Sequence, residues 1–325
     1  MTNEQHPFHE WIPLEQPRLG TRVTFASDEF FGAKERLIKP EPPVFIKDKY
    51  DDHGKWMDGW ETRRKRGPGH DQCIVRMGVR AIVRGVDIDT RFFTGNFPPC
   101  ASLDATVSDD DVPAGQWTEI LPKKDLRGDA QHFFPIDGDT ECTHVRLNIF
   151  PDGGVARLRL FGEVPPDPHT LHGIVDLFAL ENGGRAIACS DEHFGSMHNL
   201  NLPGRGINMG DGWETARRRG PGNDWVIVAL GCPGRIVRTE IDTAHFKGNF
   251  PERVSLEAAL FPMGKPIRTD SQRWRMLLPE SRLQMDKRHR FADELVDLGR
   301  ASHVRMSIYP DGGVSRLRLF GEALR

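Results

Sequence analysis

Apolar and polar residues alternate with a period of two near the end of each half of the chain. Val145, Leu147 and Ile149 alternate with His144, Arg146 and Asn148, and Leu158 and Leu160 alternate with Arg157 and Arg159. Successive side chains of a strand point to opposite faces, so both runs predict half-buried strands. The Pro151-Asp152-Gly153-Gly154 stretch between them offers a fixed φ, an aspartate suited to turn chemistry and glycines free to take positive φ, which predicts a tight hairpin. The block returns from His303 to Glu322, with Asp311 in the turn. On this reading the Arg-Leu-Arg-Leu strand keeps one face in water or against a partner. Continuous apolar runs, Cys73-Ile74-Val75 and Trp225 to Leu230, predict strands in the middle of a sheet. Thr21 to Phe25 and Ala186 to Cys189 predict short strands. The proline-punctuated stretch from Pro40 to His53 predicts an extended loop, with a shorter counterpart at Leu200 to Asn208. No helical period is sustained, and short helices fit only near Leu126 to His132 and Arg282 to His289.

The chain is an internal duplication. Asp58-Gly59-Trp60-Glu61-Thr62-Arg63-Arg64 and Gly67-Pro68-Gly69-His70-Asp71 recur as Asp211-Gly212-Trp213-Glu214-Thr215-Ala216-Arg217 and Gly220-Pro221-Gly222-Asn223-Asp224. Ser27-Asp28-Glu29, Ile88-Asp89-Thr90 and Gly95-Asn96-Phe97-Pro98 recur as Ser190-Asp191-Glu192, Ile241-Asp242-Thr243 and Gly248-Asn249-Phe250-Pro251. Short strands, frequent Gly/Pro turns and no β-α-β rhythm predict an all-β chain of two tandem β-sandwiches. The expected domains are Leu14 to Glu163 and Glu181 to Glu322, joined by a linker over 164–180 that opens with Val164-Pro165-Pro166-Asp167-Pro168.

Composition narrows the function classes. A chain of 325 residues can bury two cores without disulfides, and its five cysteines, odd in number and without a C-x-x-C pair, suggest reduced thiols and a cytoplasmic setting. The start Met1-Thr2-Asn3-Glu4-Gln5-His6 is polar, and no later run approaches a membrane span. The net charge of −3 lacks the broad basic field of a nucleic-acid binder, while arginine clusters at Arg63 to Arg66 and Arg217 to Arg219 suit a small anion. No membrane or nucleic-acid partner is therefore expected.

The doubled set Ser-Asp-Glu-x-Phe-Gly, Asp-Gly-Trp-Glu-Thr-x-Arg, Gly-Pro-Gly-x-Asp, Ile-Asp-Thr, Gly-Asn-Phe-Pro and Phe/Tyr-Pro-Asp-Gly-Gly resembles the allantoicase family over Arg22 to Glu322. The resemblance implies jelly-roll, galactose-binding-like sandwiches, a homo-oligomer, and a carbon–nitrogen hydrolase that converts allantoate to (S)-ureidoglycolate and urea. The departures Gln72/Trp225, Arg63/Ala216 and His70/Asn223 imply that the repeats have diverged.

Allantoate is a small anion bearing one carboxylate and two ureido groups on a single carbon. Releasing urea needs a proton for the departing nitrogen, water at the carbon, and a clamp for the carboxylate. Arginine's planar fork suits the clamp, and Arg64, Arg217, Arg146 and Arg305 are the duplicated candidates. Proton handling falls to Glu61, Asp71, His144, Glu214, Asp224 and His303, with Asp28, Glu29, Asp191 and Glu192 also within the motifs. Each has a plainer reading: Glu61 and Glu214 pair with arginines, Asp71 and Asp224 cap the turn, and His144 and His303 are satisfied strand residues. Trp60 and Trp213 read as core anchors, and Asp89 and Asp242 as structural. No histidine pair marks zinc, although an oxygen-rich Asp-Gly-x-x-Thr loop leaves room for Ca²⁺ or Mn²⁺. Two other readings stand beside the hydrolase: a tandem ligand-binding module without turnover, and an ammonia-releasing two-metal amidohydrolase, against which the lack of a clustered metal motif counts.

Overall fold

The computed structural model describes residues 7–8, 10–167, 169, 171–262, 267 and 271–324. The polar start Met1 to His6 and Pro168 of the linker lie outside the described residues. The chain forms two compact units, Met1–Glu163 and Val164–Arg325.

Each unit is organised around one 19-residue strand, Asp71–Asp89 in the first and Asp224–Asp242 in the second. The leading part of Asp71–Asp89 pairs with Arg22–Ala26 on one side and with Glu141–Phe150 on the other, from His144↔Arg76 to Ile149↔Asp71. After a register shift, its trailing part pairs with Arg157–Glu163, from Arg157↔Asp89 to Glu163↔Ile82, and with Phe133–Pro135. One strand thus serves two layers. The larger layer continues through Cys100–Thr106 to Thr118–Asp125, and the smaller ends at Ile12–Pro13. The second unit repeats this order strand for strand, so the all-β tandem-sandwich reading holds.

The alternating pattern fixes which face is buried. Val75, Val86, Ile88, Val145, Leu147, Ile149, Leu158 and Leu160 are wholly inaccessible. Burying each such side chain contributes roughly 1.5–3 kcal/mol. A one-residue slip would turn the whole set outward, which makes the register strongly specified.

Four expectations change. Pro151-Asp152-Gly153-Gly154 is not a hairpin turn, because the strands on either side of it both pair with Asp71–Asp89, which lies between them. The turn contains a cis Phe150–Pro151 peptide and hands the chain to Gly154–Val155, which pairs with Trp60–Glu61. No helix forms at Leu126 to His132 or Arg282 to His289; each is a tight turn with Asp129 or Asp286 at positive φ. The polar face of Arg157–Glu163 is not open to water. Arg157 is 1% exposed and donates to the Glu41 and Asp58 carbonyls and to Asp58 Oδ2 at 2.7–2.9 Å. Finally, Ile174–Asp176 pairs with the last strand, and Leu177, Phe178 and Leu180 are core residues, so the second sandwich begins inside the stretch read as linker. Among the described residues no helix is long and apolar enough to cross a membrane.

Candidate active site

The duplicated motifs meet at one end of each sandwich. In the first repeat Glu61 and Gly32 form a β-bridge, Thr62 N–H donates to Gly153 O, Gly154 N–H to Asn96 O and Asp71 N–H to Pro151 O, so four loops share one backbone network. The glycines permit this approach: a Cβ on Gly32 would sit 2.3 Å from Gly59 O, and one on Gly153, at φ +142°, 2.6 Å from Pro98 N. Trp60 is fully buried beneath the loops, with its indole N–H on Asp28 O at 2.8 Å. Trp213 repeats the contact with Asp191 O. Both tryptophans are anchors.

Glu61 stands out chemically. Its side chain is 8% exposed, and Oε1 accepts from Asn96 Nδ2 at 2.6 Å. Burial pushes its carboxyl above the usual glutamate range, against the Asn96 hydrogen bond and the Arg36 charge that favour ionisation. A carboxyl so held keeps a larger protonated fraction near neutrality than a free one, as a proton donor requires. Glu214 accepts from Asn249 in the same geometry but is less buried.

Nearby carboxylates are committed to holding the loops. Asp71 is 2% exposed and accepts from Ser27 Oγ and from Lys65 Nζ, each at 2.8 Å. Asp224 takes Ser190 and Arg218 in the same way. Asp28 accepts from Phe30 N–H at 2.9 Å and Arg63 Nε at 2.6 Å. Burial raises that carboxyl, but these donors outweigh it and keep Asp28 below its ordinary value. In the second repeat Asp191 receives the backbone N–H of Ala216 where Arg63 stands in the first. Glu29 is drawn to Lys34 at 3.1 Å, and Glu192 accepts from Ser196 Oγ and Met197 N–H.

Arg64 and Arg217 follow three residues behind Glu61 and Glu214, are exposed, and make no hydrogen bond or ion pair among the described residues. They are available to an anion. Arg146 and Arg305 are not: Arg146 donates from Nε and Nη2 to Asp104 at 3.0 and 2.6 Å and lies over Trp117, while Arg305 is engaged by Glu257 and lies over Trp274.

His144 and His303 are brought together with neither group. His144 pairs with Arg76, five residues along the strand from Ile149 at the loop end, or about 17 Å at strand rise. It is fully buried, its Nδ1 is 2.9 Å from Thr143 Oγ1 and its Nε2 has no hydrogen-bond partner among the described residues. Burial holds His144 below the usual histidine range and brings His303 down to about 4, so both rings are neutral at pH 7. Their burial removes them from reach of a substrate at the loops.

The structure adds Asn96 and Asn249, which sequence reasoning left as motif markers, although their duplication in Gly-Asn-Phe-Pro was a usable signal. It also joins the loop to the sheet face through His70 Nε2, 3.2 Å from Asn148 Oδ1, and Asn148 Nδ2, which donates to Asp104 at 2.9 Å. The oxygen-rich loop offers little to a cation, because Asp58 is taken by Arg157 and Lys39 at 2.7 and 3.0 Å. Among the described residues no three His, Cys, Asp or Glu side chains are grouped to hold a metal.

These features define a tandem-repeat β-sandwich with a duplicated glutamate–asparagine couple and an unpaired arginine at the loop end. The allantoicase repeat family model matches residues 12–165 and 175–324. A probable allantoicase of Ralstonia nicotianae is 55% identical over 314 residues, covering 95% of this chain and 94% of that one. One from Pseudomonas aeruginosa is 54% identical, with 98% of each chain covered. The crystal structure of Saccharomyces cerevisiae allantoicase superposes with a TM-score of 0.82 at 39% identity, over 95% of this chain and 92% of the yeast one. The chain belongs to the allantoicase family.

Proposed function

We propose that this chain hydrolyses allantoate to (S)-ureidoglycolate and urea at the loop end of a repeat. Family membership over nearly the whole chain supports the activity. The placement rests on one observation, the buried Glu61 carboxyl, raised by burial and fixed by Asn96, three residues before an arginine that is unpaired among the described residues. In this reading Arg64 grips the substrate carboxylate through two parallel hydrogen bonds. Protonated Glu61 gives its proton to the ureido nitrogen as the carbon–nitrogen bond breaks, and the resulting carboxylate takes a proton from the water that supplies the new hydroxyl. One water is consumed and Glu61 ends as it began. Asp28 and Asp71 hold the loop through Arg63 and Lys65, and no step is assigned to a metal. The same reading makes the protein a homo-oligomer of the reducing cytoplasm. Five free cysteines support that compartment, with Cys142 and Cys189 pushed by burial up to about 12 and therefore inert.

Purified protein should release one urea per allantoate consumed. Stoichiometric ammonia would instead favour the two-metal amidohydrolase, and absence of turnover with or without Mn²⁺ would leave a binding module. Arg64→Lys keeps the charge and loses the fork, so it should raise KM about tenfold with the fold intact. Unchanged kinetics in both Arg64→Lys and Arg217→Lys would remove the clamp from this loop.

A further inference from the structure

The outward face of the smaller sheet differs between the repeats, and in the second it encloses a cavity of about 350 Å³. Buried Arg316 and Asp242 form part of the floor, Phe320 one wall, and Arg205 and Arg288 the mouth. The equivalent first-repeat face is more deeply buried, with Asp87 2% and Phe161 7% exposed. There the Phe8 ring lies against Gly85 and 5.7 Å from Phe161, and Gln131, in the place of Arg288, donates to Asp87 at 2.7 Å. Arg238 replaces Gly85 in the second repeat and stacks over Phe320 at 4.1 Å, which leaves the cavity open beside it.

Two groups at this cavity have unused hydrogen-bonding capacity. The Arg288 guanidinium makes no hydrogen bond among the described residues; its Nε is 3.7 Å from both Glu240 Oε2 and Asp242 Oδ2. Glu240 Oε1 accepts from Arg290 Nε at 3.0 Å, which leaves Oε2 with its lone pairs open. The remaining charges are fixed: Arg205 donates to Asp242 at 2.9 Å, Arg316 to Asp211 at 2.9 Å, and Arg318 to the Leu202 and Gly204 carbonyls. An unsatisfied cation fork next to an open carboxylate acceptor matches a ligand that carries a carboxylate and an N–H donor a few ångströms apart. Any anion on Arg288 meets repulsion from Glu240 and Asp242; a ligand with an N–H donor offsets it at Glu240 Oε2, whereas a simple anion cannot, and a simple amide would leave the arginine unused.

We propose that the second-repeat cavity is a binding site for small carboxylic acids that carry an N–H donor beside the carboxylate, distinct from the loop-end centre. The ligand's carboxylate docks on Arg288, and its N–H group donates to Glu240 Oε2. This rests on the cavity's own chemistry and not on the reaction proposed above, although allantoate and ureidoglycolate belong to the class.

Calorimetric titration of the full chain with hydantoate (N-carbamoylglycine) tests it, since this mono-ureido acid has no second ureido group on its carbon and should bind without turnover. Hydantoate should bind the wild type, and Arg288→Gln, which installs the first-repeat residue, should weaken one binding event by about tenfold or more. Glu240→Gln should do the same, and acetate should bind at that event at least about tenfold more weakly than hydantoate. Arg288 is 42% exposed at its side chain, so its variant should unfold at the wild-type temperature and keep its urea release from allantoate. An Arg288→Gln isotherm that overlays the wild type would overturn the site. Equal binding of acetate would reduce it to an unspecific anion pocket, and loss of urea release in Arg288→Gln would merge it with the catalytic centre. If the wild type released no urea, the functional reading would fall, and the cavity would still stand or fall on the hydantoate isotherms.

Discussion

The two repeats share a strand order but use their copies of the same motifs under different conditions. In the first, Glu61 is buried, Asp28 is paired with Arg63, and Phe8 packs on the smaller sheet's outward face against Gly85 and Phe161. In the second, Glu214 is less buried, Ala216 leaves Asp191 with a backbone donor, and the equivalent face opens into a charged cavity. Duplication preserved the scaffold, while the dielectric around each copy was free to change. A glutamate's usefulness as an acid depends on that environment, so identical residues in the two repeats need not do the same work.

Substituting both glutamates is the sharpest way to break this comparison. Glu61→Gln keeps the Asn96 contact within reach but removes the transferable proton, and should lower kcat about 10²–10⁴-fold. Glu214→Gln should lower it less than about tenfold. Equal losses would mean that both repeats turn over substrate, and a loss confined to Glu214→Gln would reverse the assignment. In the active variant series the basic limb of the kcat profile should belong to Glu61, with rate falling as pH rises through its raised pKa.

The buried ion pairs beneath the loops come next. Arg157→Met leaves Asp58 without its main partner in a sealed interior and should cost roughly 3–5 kcal/mol by denaturant unfolding. Arg316→Met removes the corresponding partner of Asp211, but that carboxylate keeps the Ile207 N–H at 2.9 Å and the adjoining cavity can admit water, so the loss should be smaller. If Arg316→Met proved the more destabilising, the cavity would not be hydrating that pair.

What was legible in the sequence follows from how local the cause is. Val145, Leu147 and Ile149 announce their faces by spacing alone, and the doubled motifs reveal the repeat. The hairpin expectation failed because Pro151-Asp152-Gly153-Gly154 carries local turn chemistry, whereas the strand that separates its flanks lies more than sixty residues away in sequence. Arg157 looked solvent-facing because its partner Asp58 is 99 residues distant. The candidate site splits along the same line: the loop carries Glu61 and Arg64 together in sequence, but the Asn96 contact with Glu61 and the Ser27 contact with Asp71 arise only when separate loops meet. His144, attractive by residue type, sits too far along the strand to join them, and Arg146 is held by Asp104.

The smallest expected effect concerns Asp87, whose counterpart Glu240 faces the cavity. Burial, reinforced by the neighbouring Asp89 charge and opposed by the Gln131 hydrogen bond, raises Asp87 from 3.8 to about 6. The folded state therefore binds this proton more tightly than the unfolded chain does, so native stability is present below about pH 4 and declines as pH rises through about 6. A shift of that size corresponds to roughly 2–3 kcal/mol lost at pH 7. Asp87→Asn cannot ionise, and its amide can keep both bonds if the Gln131 side chain flips. The variant should therefore match the wild type near pH 4 and gain up to about 2 kcal/mol at pH 7 in urea unfolding. Glu240→Gln removes a carboxylate bonded to the exposed Arg290 and should change stability by no more than about 1 kcal/mol. Parallel pH–stability curves for wild type and Asp87→Asn between pH 4 and 7 would show that the first-repeat face is not the sealed, low-dielectric environment that distinguishes it from the second.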